Sequence, residues 1–263
     1  MSGSSVPGES VTVLRSLLAS AAVVAVLSCA TAPAAAQTRS QSTPFTLTTG
    51  TERTTEQRAT RFDKADLALT VTPADKSIAG VATLILTATA PLDRIVLELD
   101  TVFAIGGVSV DARQLAADQW SNPDGRMTIR LPRPLAAGES TTVAISYSGQ
   151  PHEATHAPWD GGFVWSTTPD GQPWIATAVQ GEGCDLFWPC IDHPQGEPAR
   201  VDLHITVPTG LSAPSNGRFL GKTDNANGTT TWNWTAAHPD TYAIALNVGP
   251  YVELTAPYRS RFG

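Results

Sequence analysis

Positive charge is scarce in this chain: 17 lysines and arginines stand against 24 aspartates and glutamates, a formal net charge of −7. That balance excludes the basic patches by which proteins grip nucleic acid or anionic membrane, and neither is expected as a partner. Long hydrophobic runs are also lacking. The one candidate, "SLLASAAVVAVLSCATAPAAAQ", is too short and too alanine-rich to span a bilayer, so no transmembrane segment is expected in the mature chain. It follows Arg15 and ends in small residues, the charged, apolar and cleavage regions of a secretory signal. Residues 1–36 are therefore expected to be a signal peptide cut after Ala36, and the protein to be exported to a bacterial-type periplasm or secreted. Cys29 offers a second reading as a lipid attachment site, although Leu27 before it fits that pattern poorly.

Cysteine is rare. Of three in the chain, only Cys184 and Cys190 would survive signal removal, as a close pair in "GCDLFWPC". In an oxidising compartment such a pair is suited to a disulfide. Two thiols alone lack the other two ligands of a structural zinc site, and two buried free thiols are the remaining alternative.

Helical periodicity is almost missing, the one weak candidate being "ARQLAADQW". Residues 37–57 are polar, rich in Thr and Ser and without apolar period, which reads as a flexible tail. From residue 58 to 263 nearly every segment alternates as strands do. Leu67, Leu69 and Val71 share one face, as do Ile95, Leu97 and Leu99, and Val143, Ile145 and Tyr147. In "ARVDLHITVP", Val201, Leu203, Ile205 and Val207 oppose Asp202, His204 and Thr206, which puts His204 on a solvent face. A hairpin is expected to turn at Asn227-Gly228, and "TYAIALNVGPY" reads as a last buried strand through Tyr242, Ile244, Leu246 and Val248. The fold class that follows is all-β, a curved sandwich or saddle of mostly antiparallel strands.

Two motifs invite chemistry. His152, Glu153 and His156 stand in the H-E-x-x-H order of zinc peptidases, where a helix puts both imidazoles on one face. Here Pro151 and Pro158 bracket the motif, with Gly149, Gly161 and Gly162 outside them, a composition that punctuates a loop. His152 and His156 are thus weak metal candidates, and the chemistry is expected elsewhere. The seven tryptophans raise a second possibility, an exported non-catalytic binding module using Trp159, Trp165 and Trp174 against a glycan or protein.

The second motif is the segment "TAVQGEGCDLFWPCIDHPQGEPARVDLHITVPTGLSAPSNG". Gln180 and Glu182 form a Q-x-E; Pro189, Cys190, Asp192 and Pro194 follow as P-C-x-D-x-P; Val207, Pro208, Leu211, Ser215, Asn216 and Gly217 close it. In this order the segment resembles the N-terminal domain of aminopeptidase N-type (M1) zinc metallopeptidases, the family that includes leukotriene A4 hydrolase. The resemblance covers about residues 60–263. It departs from the family in lacking an arginine between the Q-x-E and the P-C, and in carrying Asp192-His193-Pro194 where D-E-P is usual. It implies an all-β saddle packed on a separate catalytic domain, with Glu182 binding the free α-amino group of a peptide substrate and Gln180 lining the pocket for its first side chain. Zinc is implied for the complete enzyme, with ligands in a catalytic domain beyond this chain. No catalytic residue is expected in the chain, and the fragment is expected to be inactive alone.

Overall fold

The structure, a computed structural model, describes residues 41–254, 256–257 and 259–261. The expected signal segment, its cleavage point and Cys29 lie outside the described residues. The described chain is almost entirely β: β1 (Thr60–Thr72), β2 (Ser77–Ala88), β3 (Leu92–Glu98), β4 (Ala104–Val110), β5 (Arg113–Gln114), β6 (Trp120–Ser121), β7 (Arg126–Leu135), β8 (Ser140–Gly149), β9 (Gly162–Thr167), β10 (Pro173–Ala178), β11 (Arg200–Pro208), β12 (Arg218–Asp224) and β13 (Thr229–Ala237). The one α-helix among the described residues, α1 (Thr55–Arg58), is a single turn. No helix among the described residues is long and apolar enough to cross a membrane.

An eight-stranded sheet runs β12-β13-β11-β1-β2-β8-β4-β5, a three-stranded sheet β3-β7-β6, and β9 and β10 form a separate ribbon. All pairs are antiparallel except β1 with β11, which run parallel with Lys64 opposite Arg200. The alternation read from sequence decides which face is buried. Leu67, Leu69, Ile145, Leu203 and Ile205 are essentially inaccessible and join Ile95, Leu97, Met127 and Ile129 of the smaller sheet in one continuous core. Truncating any of these leucines to alanine is expected to cost roughly 2–5 kcal/mol through lost transfer energy and the cavity left behind. Asn227-Gly228 does turn the β12–β13 hairpin, with Gly228 at φ 78°.

Three segments differ from the sequence expectation. The weak helix in "ARQLAADQW" is two short strand pieces, β5 and β6, around the 3-10 turn Ala117–Gln119. The expected last strand keeps its alternation, with Ile244, Leu246 and Val248 buried, but 241–243 form a 3-10 turn and no ladder follows. Side chains satisfy that backbone instead: Asn216 Oδ1 accepts from the Ala245 N–H, and Thr177 Oγ1 from the Leu246 N–H at 3.0 Å. Only Val248 and Gly249 make isolated bridges, to Ile175 and Ser212.

The third difference is the expected tail, whose described residues 41–57 lie against the domain. Thr46 and Gln57 are wholly buried. Thr54 caps α1 through a reciprocal pair of bonds with Gln57, and the Gln57 Nε2 donates to Glu98 Oε1 at 2.8 Å. Ser42 and Thr46 donate their hydroxyls to Asp100. The polar composition that suggests a tail is here a supply of donors for buried carboxylates.

Candidate functional site

The Q-x-E lies where β10 leaves its ribbon. A tight turn closes behind it, the Gly183 N–H donating to the Val179 carbonyl at 2.9 Å, and Gly181 and Gly183 take φ of 106° and 130°. Those conformations are open to glycine and strained for side-chain-bearing residues, so the two glycines fix the direction in which Glu182 leaves the backbone. Gln180 is exposed and Glu182 half-buried. The turn is pinned from the other side by the Thr49 N–H on the Gly181 carbonyl.

Glu182 carries an anomaly. Its Oε2 is shielded from solvent and has no hydrogen-bond partner among the described residues. A buried carboxylate oxygen without a donor loses its hydration for nothing in return, at a cost of several kcal/mol. The side chain lies over Gly161, where an added Cβ would stand 2.7 Å from the Glu182 Cδ and closer still to Oε2.

Immediately after Glu182 the chain enters the core. Cys184, Leu186, Phe187, Trp188 and Cys190 are completely buried, and Cys184 and Cys190 are joined as a disulfide, with S–S 1.93 Å and Cα–Cα 6.3 Å. The buried Tyr147 hydroxyl donates to the Phe187 carbonyl at 2.8 Å, and burial pushes its pKa up. Asp192 receives the Cys184 N–H and the Thr49 hydroxyl. Burial drives its carboxyl up to about 6, the two hydrogen bonds opposing that rise and nearby Glu98 adding to it. Asp185 lies well above its ordinary range, first through burial and then through Asp192, Glu98 and Asp100. These acids were not legible as a group, since they come together only through the fold.

His152, Glu153 and His156 lie on a loop, as their flanking prolines predict. Glu153 pairs with Lys76 at 2.9 Å rather than facing a histidine partner. Neither histidine belongs to a cluster of three potential metal ligands among the described residues; the one such cluster is Cys184, Cys190 and Asp192. Both of its thiols are consumed by the disulfide, so these donors do not fit zinc.

The tryptophans do not form one platform. Trp165 on β9 opposes Ile175 on β10, so Trp174, the neighbour of Ile175, projects to the opposite face of the ribbon. Trp165 stacks on Phe163, Trp174 packs on Tyr251, and Trp159 is 89% exposed.

Residues 61–242 match the Peptidase M1 N-terminal domain. The chain belongs to that family. Among solved structures, this M1 N-terminal domain is similar to an M1 zinc metallopeptidase mutant from Deinococcus radiodurans bound to a Tyr-Ser-Ala substrate. The TM-score is 0.64 at 29% identity, over 82% of this chain and 47% of that one. A two-domain M1 zinc metallopeptidase mutant bound to L-arginine gives 0.65 at 29%, over 82% and 48%. The unmutated M1 zinc metallopeptidase from Deinococcus radiodurans gives 0.62 at 28%, over 80% and 46%. The chain thus spans about half the length of the solved structures it matches. No curated protein matches it.

Proposed function

We propose that this M1 N-terminal domain anchors the free amino terminus of a peptide at Glu182, within an exported zinc aminopeptidase that removes N-terminal residues. The observation that carries this reading is the Oε2 of Glu182, shielded and without a hydrogen-bond partner among the described residues, on a turn fixed by two positive-φ glycines. An ammonium group supplies what that oxygen lacks. A charge-assisted hydrogen bond there offsets the desolvation of the carboxylate and orients the first peptide bond. Gln180, exposed two residues earlier, lines the pocket for the first side chain.

The peptide-bound and amino-acid-bound states of the similar M1 zinc metallopeptidases support an aminopeptidase role for the complete protein. The zinc implied for that protein would polarise the scissile carbonyl; the residues described here serve binding and orientation. Export is supported by the signal-like segment ending at Ala36 and by the Cys184–Cys190 disulfide, a bond that persists in oxidising compartments.

The test is an NMR shift titration of the purified chain with Leu-Ala-Ala and with its N-acetylated form. Preferential binding of the free amine, lost in Glu182→Gln, is the expected result. Equal shifts with both peptides would overturn the anchoring role.

A further inference from the structure

We infer that the loop 150–162 is the specificity wall of the amine-anchoring site, with Gly161 positioning Glu182 and Trp159 packing against the first side chain of the peptide. The inference rests on the anchoring role proposed above. It begins with the base of the loop, which is built rather than loose. The Phe163 N–H donates to the His152 carbonyl at 2.7 Å and the Ala154 N–H to the Phe163 carbonyl at 3.0 Å, while Phe163 is fully buried. Gly162 lets these two chain segments meet, since a Cβ there would stand 2.6 Å from the His152 carbonyl oxygen.

The tip is closed as well. Both carboxylate oxygens of Asp160 accept backbone N–H groups, from Thr155 at 2.7 Å and from His156, and the Trp159 N–H donates to the His156 carbonyl at 2.9 Å. On this held turn Trp159 is 89% exposed and, among the described residues, makes no ring contact with another aromatic. A tryptophan kept in water on a closed turn forfeits the large burial gain typical of its type.

Gly161 joins the loop to the site. Its bare backbone lies against the whole carboxyl arm of Glu182, with a built Cβ 2.8 Å from the Glu182 Cβ and 2.7 Å from its Cδ. Glycine is needed there for space, because any side chain would displace the carboxylate. Trp159 is two residues away, so its Cα lies within about 7 Å of the Gly161 Cα. The first side chain of a peptide branches one carbon from the ammonium that rests on Glu182. An indole on this turn is therefore within reach of it, and an apolar first residue gains most from the contact.

Two variants of the full chain test this by the same titration, using Leu-Ala-Ala, Gly-Ala-Ala and their N-acetyl forms. Wild type is expected to prefer Leu over Gly at the first position by about tenfold, the size of one good aromatic contact. Trp159→Ala should bring that ratio within about twofold, and Trp159→Phe should keep most of it. Gly161→Ala, checked for native near-ultraviolet circular dichroism, should lose about tenfold in free-amine binding, with N-acetyl binding unchanged. If Gly161→Ala does not fold, the exposed Trp159 pair decides the matter. Wild type that distinguishes free from acetylated amines, but whose Leu/Gly ratio survives Trp159→Ala, would overturn the wall while leaving the anchor intact. Wild type that makes no such distinction would overturn the anchor, and the wall with it.

Discussion

Loops 150–162 and 179–192 meet at Glu182 and Gly161, yet they use their residues in opposite ways. The first shows its side chains to water: Trp159 is 89% exposed, and the His156 side chain 82%. The second turns inward after Glu182, and its Trp188 is completely buried beside Phe187 and the disulfide. The first carries a sequence that spells a metal site. The second carries glycines, two cysteines and acids whose meaning lies in where the backbone takes them. Chemistry depends on convergence: without a helix His152 and His156 share no face, whereas a turn between two positive-φ glycines sets the direction of Glu182 and its shielded oxygen.

The contrast is sharpest in stability. Trp188→Ala should destabilise the domain by about 3–5 kcal/mol in chemical denaturation, because it empties a fully enclosed site. Trp159→Ala should stay within about 0.5 kcal/mol of wild type. Equal losses would mean that the first loop is packed as tightly as the second.

The next largest effect is one of pH. Asp192 has its folded pKa raised from 3.8 to about 6, so between those values the native state binds more protons than the unfolded chain. Its contribution is therefore most favourable below about pH 4 and is lost as pH rises toward 6. Comparing wild type with Asp192→Asn, which keeps an acceptor and removes the titration, should reveal a difference that changes by about 3 kcal/mol across that window. A flat difference would show that the buried acids are solvated. The smallest effect belongs to the exposed loop: His156→Ala should change unfolding free energy by less than about 0.5 kcal/mol. A larger change accompanied by loss of bound zinc would restore the metal reading of His152 and His156.

Much of the fold was legible because alternation is local. Val201, Leu203, Ile205 and Val207 announce a buried face wherever their strand goes, and all four are buried. The Q-x-E was legible as a motif, and Pro151 and Pro158 correctly denied the histidines a helix. What could not be read depends on distant partners. Thr46 and Gln57 belong to an ordinary polar stretch until Asp100 and Glu98 need donors, and Tyr242–Val248 alternates like a strand although Asn216 and Thr177 take up its backbone groups. Gly161 gave a faint signal, one of a glycine pair before a strand, but its purpose appears only with Glu182 above it.

The parallel pairing of β1 with β11 bears on the order of events during folding. β1 can pair with β2 as soon as both have been made, but its other edge stays open until residues 200–206 have been synthesised. Through most of synthesis the middle of the largest sheet is thus an unfilled edge lined by Leu67 and Leu69, open to wrong strand pairing. Closing it requires a contact across most of the domain's length, so sheet completion is expected to be slow and to come late. A chain interrupted before β11 would keep that edge exposed, and aggregation would be its expected fate.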